Sequence, residues 1–149
     1  MIHFVHGNMF DTKYDAYINP VNCKGVMGAG LALEFKYKYP INFEAYKVVC
    51  KSGALKPGGI YYTVQDHTVI INFATKNHWK DPSRIEWIEE GCRKLRDFWL
   101  SDQNIIESVA IPKLGCGLGG LKWSDVRPIL IKYFNDINNM NIYIYEWKR

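Results

Sequence analysis

Short apolar runs alternate along this chain with longer stretches in which apolar residues recur every three or four positions. Residues 2–6, 16–21 and 105–111 are short and apolar enough to read as strands, and 141–146 closes the chain as another. Residues 60–64 and 68–73 read as a strand pair joined by the polar turn Gln65-Asp66-His67. Helical spacing marks 29–38 and 41–52, divided by Pro40, whose ring cannot continue the first helix. The clearest helix is predicted over 84–100. Ser83 and Glu86 have the spacing of a capping box at its start, and Ile85, Ile88, Cys92, Leu95 and Trp99 recur on one face. A last helix over 125–137 carries Val126, Ile129, Leu130, Tyr133, Phe134 and Ile137 on one stripe.

Strands that alternate with helices imply a largely parallel sheet covered on both faces. The strand pair near residue 65 adds an antiparallel edge. The expected fold is therefore a three-layer α/β/α domain with a mixed, largely parallel central sheet, one domain over residues 1–149. At 149 residues and 48% hydrophobic, the chain can bury a sizeable core, which excludes a disordered segment. In open sheets of this kind, ligands bind at the carboxyl ends of the strands.

Charge narrows the partners little. The formal charge of +4 admits an anionic ligand but lacks the density of a dedicated nucleic-acid binder. Cys23, Cys50, Cys92 and Cys116 form no C-x-x-C pair, and no histidine stands at metal-ligand spacing beside them, so no metal or cofactor is expected. No stretch reaches the roughly 18 apolar residues of a membrane span. The start Met1-Ile2-His3-Phe4 has no basic n-region. These features predict a cytoplasmic, monomeric protein with free thiols and no membrane partner.

Two glycine-rich loops carry the candidate chemistry. The first, Asn22-Cys23-Lys24-Gly25-Val26-Met27-Gly28-Ala29-Gly30, follows a strand and opens a helix. Glycine lets the backbone approach a ligand closely, and a helix start offers unpaired amides and a positive dipole end, which together favour phosphate. The second, Gly115-Cys116-Gly117-Leu118-Gly119-Gly120, matches G-x-G-x-x-G. A dinucleotide fingerprint opens the first βαβ unit and has an acidic partner about 20 residues on. Here one helix and one strand remain, so that reading fails on position. A Walker loop fails because no Gly-Lys-Ser/Thr closes it. Two such loops at one sheet edge can grip a diphosphate from both sides. Lys76 ends the apolar run Val69-Ile70-Ile71-Asn72-Phe73-Ala74-Thr75, so it too belongs at a strand's carboxyl end, where a lysine can clamp phosphate or act as an amine nucleophile. His78 and Trp79 follow and can stack on a base or sugar, or cover the core edge.

These segments resemble the macrodomain family. Asn19-Pro20-Val21-Asn22-Cys23-Lys24-Gly25-Val26-Met27-Gly28-Ala29-Gly30-Leu31-Ala32 is similar to its first binding loop, and Ile111-Pro112-Lys113-Leu114-Gly115-Cys116-Gly117-Leu118-Gly119-Gly120-Leu121 to its diphosphate loop. His6-Gly7-Asn8-Met9-Phe10 is similar to its adenine-contacting stretch. Thr75-Lys76-Asn77-His78-Trp79 and Gly119-Gly120-Leu121-Lys122-Trp123 resemble the branch that includes the bacterial DarG antitoxins and the human terminal ADP-ribose glycohydrolase. The resemblance implies an ADP-ribosyl hydrolase with a catalytic lysine at Lys76. Gly119 stands where the human enzyme has an acidic residue, which favours the DarG pattern and ADP-ribosylated single-stranded DNA, modified on thymidine, over protein glutamate. Asn8 replaces a more usual aspartate, and its carbonyl oxygen can still accept from adenine.

The resemblance assigns Asn8 and Met9 to adenine, and Gly28, Ala29, Gly30, Leu114, Gly115, Cys116, Gly117, Leu118 and Gly119 to the diphosphate. It assigns Asn22 to the distal ribose and, with Lys76, to the catalytic residues, Lys76 acting at the anomeric carbon, and it counts Thr75 among the ADP-ribose contacts. Lys76 either attacks as an amine or assists the leaving group as an ammonium. Rival readings on the same fold are an ADP-ribose 1″-phosphate phosphatase, an O-acetyl-ADP-ribose deacetylase and a non-catalytic reader. Lys24, Lys36, Lys38, Lys76, Lys80 and Arg84 flank the expected cleft in sequence and can meet a DNA backbone or simply be solvated.

Overall fold

The computed structural model describes residues 1–147, with Trp147 known by its backbone alone. Among these residues one sheet holds β1 (Ile2–His6), β2 (Ala16–Val21), β3 (Ile60–Gln65), β4 (Thr68–Ala74), β5 (Ser108–Ile111) and β6 (Asn141–Trp147). Their spatial order is β1-β6-β5-β2-β4-β3. Neighbours are parallel, except that β3 runs antiparallel to β4. The helices are α1 (Gly30–Lys38), α2 (Pro40–Lys51), α3 (Ile85–Trp99) and α4 (Trp123–Phe134).

Side chains alternate across the sheet, and both faces are covered, which is why the strands read as nearly unbroken apolar runs. On one face Ile18, Phe73, Val109 and Ile144 pack with Ile88, Leu95 and Trp99 of α3 and with Val126, Leu130 and Phe134 of α4. On the other face Tyr17, Ile70 and Ala110 meet Phe35 of α1, while Val21 and Ala74 meet Phe43 and Tyr46 of α2. This second layer also buries amides. Asn72 of β4 exchanges hydrogen bonds with Asn42 of α2 (2.9 and 3.1 Å) and accepts one from Asn19 of β2 (3.1 Å). The network ties α2 to two strands.

The expected α/β/α order holds, with differences at element ends. Pro40 does more than stop α1: it is the first residue of α2, where its missing N–H costs nothing. Asp66 and His67 both take positive φ (52° and 62°), giving the two-residue hairpin turn between β3 and β4. The capping box at Ser83 does not form. Arg84 holds the cap position of α3 without a side-chain bond, and the buried Ser83 hydroxyl has no partner among the described residues. β5 begins at Ser108 and not at residue 105, because the Asn104 carboxamide folds the chain locally by accepting from the Ile106 N–H (3.1 Å), leaving Ile105 exposed. α4 spans Trp123–Phe134, so Ile137 reaches the core from beyond the helix end.

α3 lies so close to β4 that a Cβ at Gly91 would sit 2.1 Å from the Phe73 ring. Phe73 is fully buried and cannot swing away. Gly91→Ala is therefore expected to destabilise the fold by about 1–3 kcal/mol through overpacking. This outweighs the roughly 1 kcal/mol that alanine gains in helix propensity. Urea unfolding of the two proteins checks it.

Candidate functional site

Parallel pairing brings the carboxyl ends of β2, β4 and β5 to one edge, and each strand runs into a loop there. The β2–α1 loop is shaped from within. The Asn22 Oδ1 accepts from the Lys24 N–H (2.9 Å) and from the Tyr46 hydroxyl (2.9 Å), while its Nδ2 donates to the Val26 carbonyl (2.8 Å). The Tyr46 hydroxyl also donates to the Asn22 carbonyl (2.7 Å). Burial pushes the Tyr46 phenol well above its ordinary range, so it stays a donor. Gly25 takes φ +78°, which a side chain would strain. The loop ends at Ala29, which caps α1 with no side-chain hydrogen bond, and no acidic residue stands in the first turn. The opening amides of α1 are thus left for a ligand.

The β5–α4 loop is a tight coil. The Cys116 N–H donates to Lys113 (3.2 Å), Gly120 to Gly117 (3.2 Å) and Leu121 to Gly115 (2.9 Å). The Ser83 N–H donates to the Gly119 carbonyl (3.0 Å), so the segment before α3 braces the coil. Among the described residues, the amides of Gly117, Leu118 and Gly119 reach no protein acceptor. The glycines differ in what they permit. A Cβ at Gly117 would meet open space, whereas one at Gly119 would fall 2.3 Å from the Ser83 hydroxyl and 2.5 Å from the Gly115 carbonyl oxygen. Gly119 therefore has no room for a side chain against its own loop.

Between the two loops opens a cleft of about 740 Å³, within the size range of small-molecule sites. Of the residues expected there, Asn22, Gly28, Ala29, Gly30, Thr75, Lys76, Gly115, Gly117, Leu118 and Gly119 line it. Four do not. Leu114 is fully buried beneath the coil. The Cys116 thiol turns back to the Leu114 carbonyl (3.4 Å). Met9 is buried against α1, and the Asn8 side chain caps the turn Met9–Asp11 by accepting from the Phe10 N–H (2.9 Å).

Lys76 lies two residues beyond β4. Its backbone N–H reaches the Val21 carbonyl (3.4 Å) and its Nζ donates to the Trp79 carbonyl (3.3 Å). Trp79 lines the cleft with 47% of its surface exposed. Lys113, at the end of β5, lines the cleft as well. The reasoning that singled out Lys76, a lysine closing an apolar run, applies equally to Lys113 after Ile111-Pro112, where the adjoining glycines drew attention away. No aspartate or glutamate lines the cleft among the described residues, so its charge favours an anion. Burial pushes the Cys23 and Cys116 thiols up to about 11, so neither is a thiolate at neutral pH.

The basic residues that flank the loops in sequence disperse in space. Lys36 and Lys38 lie over the rings of Phe43 (4.7 Å) and Phe10 (4.9 Å). Lys80 and Arg84 lie over Trp79 (5.0 Å) and Trp87 (5.7 Å). Lys24 turns to a different cavity on the far side of its loop. No described helix is long and apolar enough to cross a membrane.

Known proteins share this arrangement. Residues 18–130 match the family model "Macro domain". A DNA ADP-ribosyl glycohydrolase of Thermus aquaticus is 37% identical over 151 residues, covering 98% of this chain and 41% of that protein. The chain thus spans about two fifths of the length of this curated relative. The macrodomain of Mycobacterium tuberculosis DarG superposes with a TM-score of 0.91 at 38% identity, covering 97% of both chains. Thermosipho africanus DarTG in complex with ADP-ribose superposes at 0.89 with 35% identity, covering 97% of this chain and 41% of the other. By its sequence, and by a fold that sets both glycine loops around one cleft, this chain belongs to the Macro domain family.

Proposed function

We propose that this chain is a DNA ADP-ribosyl glycohydrolase, which binds the ADP-ribose group in the cleft and removes it from a thymidine base in single-stranded DNA. The observation that carries this reading is Lys76. It stands just past the carboxyl end of β4, in a cleft that no carboxylate lines among the described residues, between the opening amides of α1 and the unpaired amides of Gly117, Leu118 and Gly119. The relatives named above supply the reaction class.

The diphosphate would lie between the α1 amides near Gly28–Gly30 and those of the Gly115–Gly119 coil, with the adenosine toward Asn8. The distal ribose would face Asn22, whose Nδ2 keeps one hydrogen beyond the bond to Val26. Its anomeric carbon would then approach Lys76, and the base would leave along the exposed face of Trp79. In the proposed step a water oxygen bonds to the anomeric carbon as the bond to the base nitrogen breaks. Lys76 gives its proton to the departing nitrogen and is recharged from the attacking water. Glycosidases ordinarily divide this work between two carboxylates. With none in the lining, Lys76 carries the proton transfer.

Lys76→Ala is expected to keep ADP-ribose affinity within about threefold by calorimetry. It should lose on the order of 10²–10⁴ in the rate of release from ADP-ribosylated oligonucleotide. Turnover at the wild-type rate would remove Lys76 from the mechanism. A borohydride-trapped adduct on Lys76 would replace proton transfer by amine attack. Gly119→Glu is expected to weaken ADP-ribose binding about tenfold or more. Its Cβ would have to displace the coil from Ser83 and the Gly115 carbonyl, and loop amides placed to bind phosphate would move with it. Unchanged affinity would show that the coil does not hold the ligand. Incubating the protein separately with ADP-ribosylated single-stranded DNA, ADP-ribosylated protein and ADP-ribose 1″-phosphate tests the substrate; the DNA is expected to be consumed.

A further inference from the structure

On the far side of the β2–α1 loop lies a second cavity of about 470 Å³, lined by Cys23, Lys24, Gly25, Lys47, Cys50 and Lys51. It forms where the loop meets the last turns of α2: a Cβ on Gly25 would come within 3.6 Å of the Lys47 backbone. All three lysines are exposed. Lys47 pairs with Glu44 at 3.2 Å, but both side chains are solvated (46% and 67% exposed), so parting the pair costs little when a phosphate competes for the lysine. No aspartate or glutamate lines the cavity among the described residues.

The two cavities share a wall. The Cys23 N–H donates to the Asn77 carbonyl (2.9 Å), and its thiol points at the Lys76 carbonyl (3.4 Å). Residues 22–26 thus face the ADP-ribose cleft on one side and the lysines on the other. Cys23, which lines the lysine cavity, is bonded to the segment that carries Lys76, so a polymer whose modified base sits at Lys76 has this cavity beside it. These lysines are separate point charges on flexible stems, with no converging amides or arginine fork. That arrangement suits a mobile chain of phosphodiesters better than one fixed phosphate.

We propose that Lys24, Lys47 and Lys51 form a second binding site, which holds the phosphodiester backbone of single-stranded DNA beside the nucleotide being processed. The inference rests on the glycohydrolase reading for its biological use, and its test separates the two. The variant Lys24→Gln/Lys47→Gln/Lys51→Gln keeps the side-chain stems and removes the charges. Its kcat/KM on an ADP-ribosylated single-stranded oligonucleotide is expected to fall about tenfold or more, while that on ADP-ribosyl-thymidine stays within about twofold. In fluorescence anisotropy with an unmodified oligonucleotide, the slope of log affinity against log salt is expected to flatten by about 2, from roughly 0.7 per lost phosphate contact. Equal losses on both substrates, no loss on either, or an unchanged salt slope would overturn the site. So would tighter binding of single-stranded RNA than DNA, or a variant that loses melting temperature while keeping oligonucleotide affinity, which would make the lysines mere partners of the α2 carboxyl end. If the wild type releases ADP-ribose from neither substrate, the glycohydrolase reading fails, and the anisotropy series alone decides the site.

Discussion

The site hangs on a parallel ladder that does not stop where its strands do. β2 and β4 pair in register from Ala16 with Val69 to Val21 with Ala74, and the pairing then continues into both loops. The Thr75 N–H donates to the Val21 carbonyl at 2.9 Å and the Cys23 N–H to the Asn77 carbonyl at 2.9 Å. The segment bearing Lys76 is therefore stitched to the loop bearing Asn22 by backbone bonds that do not depend on side-chain identity. Lysine is a flexible side chain, but its Cα here lies between two residues whose backbones bond to the neighbouring strand and loop. On the proposed reading, that is what a group acting at a single carbon atom needs.

The two glycine loops reach similar openness by different means. In the β2–α1 loop, one carboxamide bonds to the backbone at Lys24 and Val26 and to the Tyr46 hydroxyl, so Asn22 holds the loop's shape and keeps one Nδ2 hydrogen beyond these bonds. The β5–α4 loop has no such side chain. It coils on its own carbonyls and leans on the segment before α3, where the Ser83 N–H holds the Gly119 carbonyl. Substitution at Gly117 would crowd whatever occupies the cleft, whereas substitution at Gly119 would break the coil itself.

Much of this was legible in the sequence because parallel strands buried on both faces write themselves as apolar runs, and a run's end marks the sheet edge where ligands bind. Lys76 and both loops followed from that alone. What escaped depends on contacts between elements distant in the chain. The Ser83–Glu86 spacing signals a cap, but a backbone bond from Ser83 to Gly119, 36 positions away, takes Ser83 out of the helix cap. Asn22 has the donors and acceptors of a ribose ligand, but its Oδ1 is occupied by the Lys24 N–H and by the Tyr46 hydroxyl reaching from α2, so the Nδ2 that bonds Val26 is the group with a hydrogen to spare. Lys36 and Lys38 lie near the first loop in sequence, but α2 turns away at Pro40 and carries Lys47 and Lys51 back to it instead.

On the proposed reading, the lack of a lining carboxylate among the described residues joins binding to catalysis. Two ionised carboxylates at the anomeric carbon would lie close to a diphosphate in a cleft of about 740 Å³, and like charges at such separations repel strongly once water is excluded. A site that holds the ligand by amides and a helix start gains by leaving acids out, and it must then find its proton donor among bases. Gly119 shows how firmly that choice is built in. An acidic side chain there would reach the cleft only if the coil let go of Ser83, and with it the amides that favour phosphate. On the proposed reading, dependence on Lys76 and the bare backbone at Gly119 are two results of one packing contact.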